Sequence, residues 1–279
     1  MSDALKAQMQ SMAGGESFTD TFTYAIKLGN GTLSWATASV KISGVNDIAL
    51  MSGNQSGAVV EDRTSTASGT LTVVDADHDQ SHTQQVVASA HNSDAGLGSV
   101  GVDADGHWNY QVDQALIQHL AAGVHATDTF TVKSFDGTAE KVVTVDIVGV
   151  NDVAVITGDD TGAVTEDGAP SASGTLAVSD VDDYESAFAG TSDLNGDHGT
   201  WTFDLGTGAW GYALNNGDPA VQGLNAGDSV FETLTVSSVD GTEHPISVAI
   251  NGADEPVTPD QIFDVGAFHR EFARAALAV

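Results

Sequence analysis

Short runs in which apolar and polar residues alternate dominate this chain. Leu71-Thr72-Val73-Val74, Val86-Val87-Ala88-Ser89-Ala90, Trp108-Asn109-Tyr110-Gln111-Val112 and Phe130-Thr131-Val132-Lys133 are also rich in β-branched and aromatic residues. A period near two in such runs predicts half-buried strands. Asp105-Gly106 and Asp136-Gly137 fall between runs and predict hairpin turns. The stretch from Gln114 to Ala122 predicts one short helical turn crossing between sheets. Helical spacing otherwise waits for the tail, where Ile262, Phe263, Phe268 and Phe272 recur at about one turn.

The strand pattern repeats. Gly44-Val45-Asn46-Asp47 returns 105 residues later as Gly149-Val150-Asn151-Asp152, and a degenerate copy, Gly252-Ala253-Asp254-Glu255, follows 103 residues after that. Between these marks the features keep one order. Gly69-Thr70-Leu71-Thr72-Val73-Val74-Asp75-Ala76-Asp77 matches Gly174-Thr175-Leu176-Ala177-Val178-Ser179-Asp180-Val181-Asp182, Trp108-Asn109-Tyr110 matches Trp210-Gly211-Tyr212, and Asp136-Gly137-Thr138 matches Asp240-Gly241-Thr242. Residues 1–47 read as the back half of another copy, because Thr19-Asp20-Thr21-Phe22 parallels Thr127-Asp128-Thr129-Phe130. The expected organisation is a partial repeat at 1–47, full repeats at 48–152 and 153–255, and a helical tail at 256–279, as in a piece of a longer array. Two strands build no core alone, so the partial repeat is expected to be the least ordered part. The fold class is therefore all-β: tandem antiparallel β-sandwiches of the immunoglobulin-like or cadherin-like kind.

Charge narrows the function. The chain has 39 acids against 8 Lys plus Arg, a net charge of −31, and no Cys. Such a chain repels phosphate, which argues against nucleic acid and anionic membrane surfaces. No stretch reaches the ~20 apolar residues of a membrane helix, and the first 20 residues lack the pattern of a cleavable signal. Absent Cys removes disulfides and thiolate chemistry. Thirty of the 39 acids are Asp, a turn-former, and they recur at matching turns.

Strand direction places those acids. A first strand running from Asp47 to Glu61 reaches the far end of its domain, and the strand from Gly69 returns Asp75 and Asp77 to the near end beside the Asp136 turn. The junction of the two full repeats is then expected to gather Glu61, Asp128, Asn151, Asp152, Asp180, Asp182 and Asp240. The first junction would gather Asp20, Asn46, Asp47, Asp75, Asp77 and Asp136 in the same way. Like charges about 4–6 Å apart repel by roughly 1–4 kcal/mol per pair, so cations must relieve them. Oxygen-only ligands on turns fit Ca²⁺ rather than Zn²⁺.

Other motifs fail on their spacing. Asp75-Ala76-Asp77-His78-Asp79 begins like an EF-hand loop, but Gln80 and Val86 stand where Gly and Glu are required. No Gly-x-Ser-x-Gly elbow or His-Glu-x-x-His is present. An intrinsic enzyme is not expected.

The Gly-Thr-Leu-x-Val-x-Asp-x-Asp strands at 69–77 and 174–182, Glu166-Asp167-Gly168, the Gly15-Glu16-Ser17-Phe18-Thr19-Asp20-Thr21-Phe22 block and the Gly-x-Asn-Asp linkers together resemble the VCBS repeat. This is a cadherin-like module of very large bacterial surface and secreted proteins, often adhesins of the RTX type. The resemblance implies an extracellular, Ca²⁺-stiffened stalk, secreted by the type I route and serving adhesion or biofilm formation. Its partners would be further repeats of the same polypeptide and a host or surface glycan or protein. A ligand-binding module and a non-catalytic arm of a secreted enzyme are the alternative readings. Arg63 departs from the family's Gly after Glu61-Asp62, Lys27-Leu28-Gly29 replaces an Asp-Gly turn, and Asp254-Glu255 replaces Asn-Asp.

Overall fold

A computed structural model describes residues 3–254. The helical tail expected at 256–279 lies outside the described residues, as does Glu255. The chain divides into two compact units, Met1–Asp152 and Val153–Val279.

The first unit begins with a helix, α1 (Asp3–Gln10), and a hairpin of β1 (Ser17–Lys27) and β2 (Leu33–Ser43), which form a two-stranded sheet. Seven strands follow. They are β3 (Leu50–Gly53), β4 (Ser56–Val60), β5 (Thr66–Val74), β6 (Gly98–Val102), β7 (His107–Val112), β8 (His125–Lys133) and β9 (Glu140–Val148). One sheet runs β3-β5-β7-β6, the other β4-β9-β8. The second unit repeats this plan with β10 (Val155–Gly158), β11 (Thr161–Thr165), β12 (Ser171–Ser179), β13 (Phe188–Thr191), β14 (Gly199–Phe203), β15 (Ala209–Leu214), β16 (Ser229–Ser238) and β17 (Glu243–Asn251). Its sheets are β10-β12-β15-β14 and β11-β17-β16-β13.

The run from Asp47 to Glu61, read as one strand, is two. β3 pairs antiparallel with β5, and β4 crosses to the other sheet and pairs parallel with β9. Gly53, at φ 126°, makes the crossing; a Cβ there would sit 2.4 Å from the Thr70 carbonyl oxygen. β10 and β11 cross in the same way at Gly158, φ 127°. A local alternation pattern does not show which sheet a strand joins, so the switch was not legible. The Val86–Ala90 run is not a strand either: only Val86 bridges, to Val102, and Val87 is 85% exposed. The helical turn foreseen at 114–122 shortens to a 3₁₀ turn at Gln114–Leu116, capped by the Asp113 carboxylate.

Each core lies between its two sheets. β7 turns Trp108, Tyr110 and Val112 inward, and these meet Phe130, Val132, Val143, Val145 and Ile147 of β8 and β9. Trp108 stacks edge-on against Phe130, with ring centroids 5.7 Å apart. Its indole N–H donates to the Asn54 carbonyl at 2.9 Å. Gly69 explains the repeated Gly-Thr-Leu sequence, since a Cβ there would lie 2.6 Å from the Trp108 ring. Gly174 makes the same room for Trp210, whose indole N–H reaches the Asp159 carbonyl at 2.6 Å.

The β1–β2 hairpin carries the same alternation, but its apolar side chains are mostly exposed among the described residues. Phe22, Tyr24, Trp35 and Val40 are exposed, and Met12 is the single buried hydrophobic residue among residues 3–47.

Candidate functional site

The loop after β5 is a seat built from its own backbone. The Asp75 N–H donates to Ser81 Oγ at 3.0 Å, Ser81 Oγ donates back to the Asp75 carbonyl, and the Asp77 N–H donates to Asp75 Oδ1 at 2.9 Å. The second unit reproduces every bond, with Asp180, Ser186 and Asp182 in place of Asp75, Ser81 and Asp77. Both loops need one left-handed residue, Asp79 at φ 59° and Tyr184 at φ 70°. Side-chain oxygens therefore converge while their own amides are spent holding the turn.

The converged oxygens lack donors. Asp75 Oδ2, Asp77 Oδ1 and Gln80 Oε1 are buried with no hydrogen-bond partner, as are Asp180 Oδ2 and Glu185 Oε2 in the second unit. Asp180, Asp182 and Glu185 bring ligand atoms within 4.8 Å of one another. Burial, and then the charges of Asp182, Asp180 and Asp240, raise the Glu185 pKa. A buried oxygen without a donor is costly, and such oxygens grouped together seek a cation. The residues present fit a hard divalent ion that takes oxygen ligands.

The linker joins this seat in the first unit. The Asp47 N–H donates to Asp77 Oδ2 at 2.9 Å, and Asn46 Nδ2 donates to Asp136 Oδ2 at 2.9 Å. Burial opposes ionisation of Asp136, but hydrogen bonds from Thr138, Asn46 and Ser134 outweigh it and hold its pKa well below the usual range. Asp240 is held low by the same balance, with donors on Ser238, Thr242 and the Ala154 amide. The first-junction set Asn46, Asp47, Asp75, Asp77 and Asp136 is thus gathered at one end of the sandwich.

Two expected ligands stand apart from the seats: Asp20, expected at the first junction, and Asp128, expected at the junction of the two full repeats. Asp20 sits in mid-strand on β1, exposed and paired with Val40. Asp128 is fully buried, and its carboxylate accepts from Ser93 Oγ, Tyr110 Oη and the amides of Ala95, Leu97 and Thr129 at 2.5–3.2 Å. Five donors saturate it, so it ties the 93–97 loop to the core and leaves no lone pair for an ion. Glu232 occupies the same place in the second unit and accepts from the His198 amide.

Glu61, Asn151 and Asp152 belong to the first unit, and Asp180, Asp182 and Asp240 to the second. Glu61 Oε2 accepts the Val150 amide at 2.9 Å, as Glu166 Oε1 accepts the Ala253 amide at 2.8 Å. Arg63 does not disturb this turn, because its left-handed residue is Asp62 at φ 52°, matched by Asp167 at φ 52°.

Sequence reasoning missed Gln80 and Glu185. Both stand five residues after the first loop Asp, at 75 and 180, and that shared spacing was the available signal. His78 faces the Ser11 carbonyl through Nδ1 at 2.6 Å and Glu16 through Nε2 at 3.3 Å.

A second electrostatic feature sits away from these loops. His198 Nδ1 lies 2.7 Å from Asp218 Oδ2, and this bond, against some desolvation, raises the His198 pKa, with Asp218, Glu232 and Asp197 adding to it. A histidine with a raised folded-state pKa stabilises fully below its unfolded value of about 6.5 and loses that contribution as pH rises through the folded value. Thermal melts in chelator at pH 6 and pH 8 are expected to show a higher midpoint at pH 6, and His198→Gln should shrink the difference.

Residues 46–149 match the bacterial cadherin-like domain family. No curated protein matches the chain. Among solved structures, the chain is similar to protocadherin gamma B2 extracellular cadherin domains 3–6, at 12% identity and TM-score 0.41, covering 86% of this chain and 60% of that one. It is similar to the protocadherin gammaB7 EC3–6 cis-dimer at 15% identity and TM-score 0.42, covering 87% and 62%. The human desmocollin-1 ectodomain is matched at 10% identity and TM-score 0.33, covering 86% and 48%. The chain thus spans less than two thirds of the length of each. Residues 46–149 form a cadherin-like module, of a kind that is typically non-catalytic.

Proposed function

We propose that this chain is a Ca²⁺-binding segment of an extracellular repeat protein of the VCBS kind, acting as a spacer in adhesion. The observation that carries the proposal is the group of buried, donor-less oxygens on Asp75, Asp77 and Gln80, repeated on Asp180 and Glu185. Asp47 and Asp136 would complete the first seat, and Asp240 and Asp182 the second. Glu61, Asn151 and Asp152 are further proposed oxygen ligands of the first unit. The ion would supply positive charge where the fold has left only acceptors. Because Asp47 and Asp77 are already bonded, a cation on Asp77 would also hold the linker that leads from the hairpin into the sandwich. A stalk function, further repeats as partners, type I secretion and a place in biofilm rest on the family resemblance.

Calorimetric titration of the whole chain with Ca²⁺ tests this. At least two ions are expected to bind, with dissociation constants on the order of 10⁻⁴–10⁻³ M, as in extracellular modules. At a hundredfold excess over the dissociation constant, each would stabilise its unit by about 2.7 kcal/mol. Asp75→Asn with Asp77→Asn should abolish one site and leave the second unit's site intact. No heat at millimolar Ca²⁺ would sink the reading and leave the acids as a solvated surface.

A further inference from the structure

The two sandwiches differ on one face. In the first unit the outward residues of β7 are His107, Asn109 and Gln111, while the matching residues of β15 are Ala209, Gly211 and Ala213. The segment after the Asp-rich loop also takes different routes. In the second unit it becomes β13 and pairs with β16. In the first, Thr83 bridges Ser134, but the chain then leaves β8 and Val86 exchanges two hydrogen bonds of 2.9 Å with Val102 on β6.

The result is a trough along the outer face of β7. Three adjoining hollows of about 460, 420 and 380 Å³ lie along it. The first two share Ser68, Ala88 and Asn109, and the last two share Ser99 and Gln111. Gly101 keeps the trough open, since a Cβ there would lie 2.5 Å from Asn109 Oδ1. A histidine–carboxylate pair closes each end: His107 with Asp103 at 2.9 Å, and His91 with Asp113 at 2.9 Å. The hollows have the size of small-ligand sites.

We infer that this trough binds a neutral oligosaccharide, gripped by the Asn109 and Gln111 amides between the two His–Asp pairs. Amides offer donors and acceptors together, as vicinal hydroxyls require, and carboxylates accept from hydroxyl pairs. Val86 and Ala88 supply a low apolar wall for the sugar's C–H face. The rival ligands fit poorly. Anionic polymers are repelled by Asp103, Asp113 and a net charge of −31. A peptide adding as a strand needs a free edge, and Val86 already occupies that of β6 at Val102. The proposal is independent of the Ca²⁺ seats.

Amide chemical-shift titration of the isotope-labelled whole chain tests it. The probes are neutral α- and β-linked gluco-, manno- and chitotetraoses, with tetragalacturonate as the anionic contrast. At least one neutral probe is expected to shift amides of residues 86–91 and 107–113 with a millimolar dissociation constant. Asn109→Ala with Gln111→Ala should weaken that binding at least tenfold, about 1.4 kcal/mol, while the melting temperature stays put because both side chains are exposed. No shift from any neutral probe, binding untouched by the double variant, or tighter binding of the galacturonate would each overturn the inference.

Discussion

Replacing Asp128 by alanine is expected to destabilise the first unit by about 3–5 kcal/mol, one of the largest single-residue effects in the protein. The residue has no exposed surface, and its two oxygens serve five donors. Truncation would strand the Ser93 and Tyr110 hydroxyls and the Ala95, Leu97 and Thr129 amides in a buried space. Each buried donor left unpaired costs about 1–3 kcal/mol, of which invading water recovers a part. Urea unfolding followed by tryptophan fluorescence, with Trp35, Trp201 and Trp210 each replaced by Phe in parent and variant alike, measures the loss. Ca²⁺ stoichiometry should stay as in the parent chain. A loss below about 1 kcal/mol would remove Asp128 from its structural role, and a lost ion would restore it as a ligand.

Trp108→Ala should cost about as much, roughly 3–5 kcal/mol, for a different reason. The ring is 1% exposed, fills the space that Gly69 and Gly57 leave open, and packs on Phe130. Removing it opens a cavity between two rigid sheets and frees the Asn54 carbonyl. At about 2–4 °C per kcal/mol for a unit of this size, the midpoint should fall by roughly 6–20 °C. Trp108→Phe should lose less, since it keeps most of the ring volume. Scanning calorimetry compares the two. Equal losses would mean that the indole hydrogen bond, rather than packing, carries the effect.

Much of this was legible in the sequence. The alternation on Trp108-Asn109-Tyr110 gave both a strand and its buried face, because pleating sends successive side chains to opposite sides. The matched Asp pairs 75/77 and 180/182 marked loops where acids converge, since a repeat imposes one backbone path on both copies. The limits were equally physical. Asp128 and Asp77 look alike in sequence, yet one is saturated by donors from residues 93–97 and the other keeps an oxygen bare. Only the path of a distant loop separates them. Gln80 was read only as a residue standing where an EF-hand loop requires Gly, although side-chain amide oxygens also serve as ligands for hard cations.

Phe22 and Phe130 make the division plain. Both sit in a Thr-Asp-Thr-Phe strand followed by a second strand and a Gly-x-Asn-Asp linker, and the sequence alone determined that both would form hairpins with one apolar face. Phe130 is 4% exposed and Phe22 51%; Val145 is 0% and its counterpart Val40 50%. In these two hairpins local pattern set strand and face, because those depend on neighbours along the chain. Burial, the choice of sheet and the freedom of an oxygen depend on what packs opposite, and that only the tertiary structure decided.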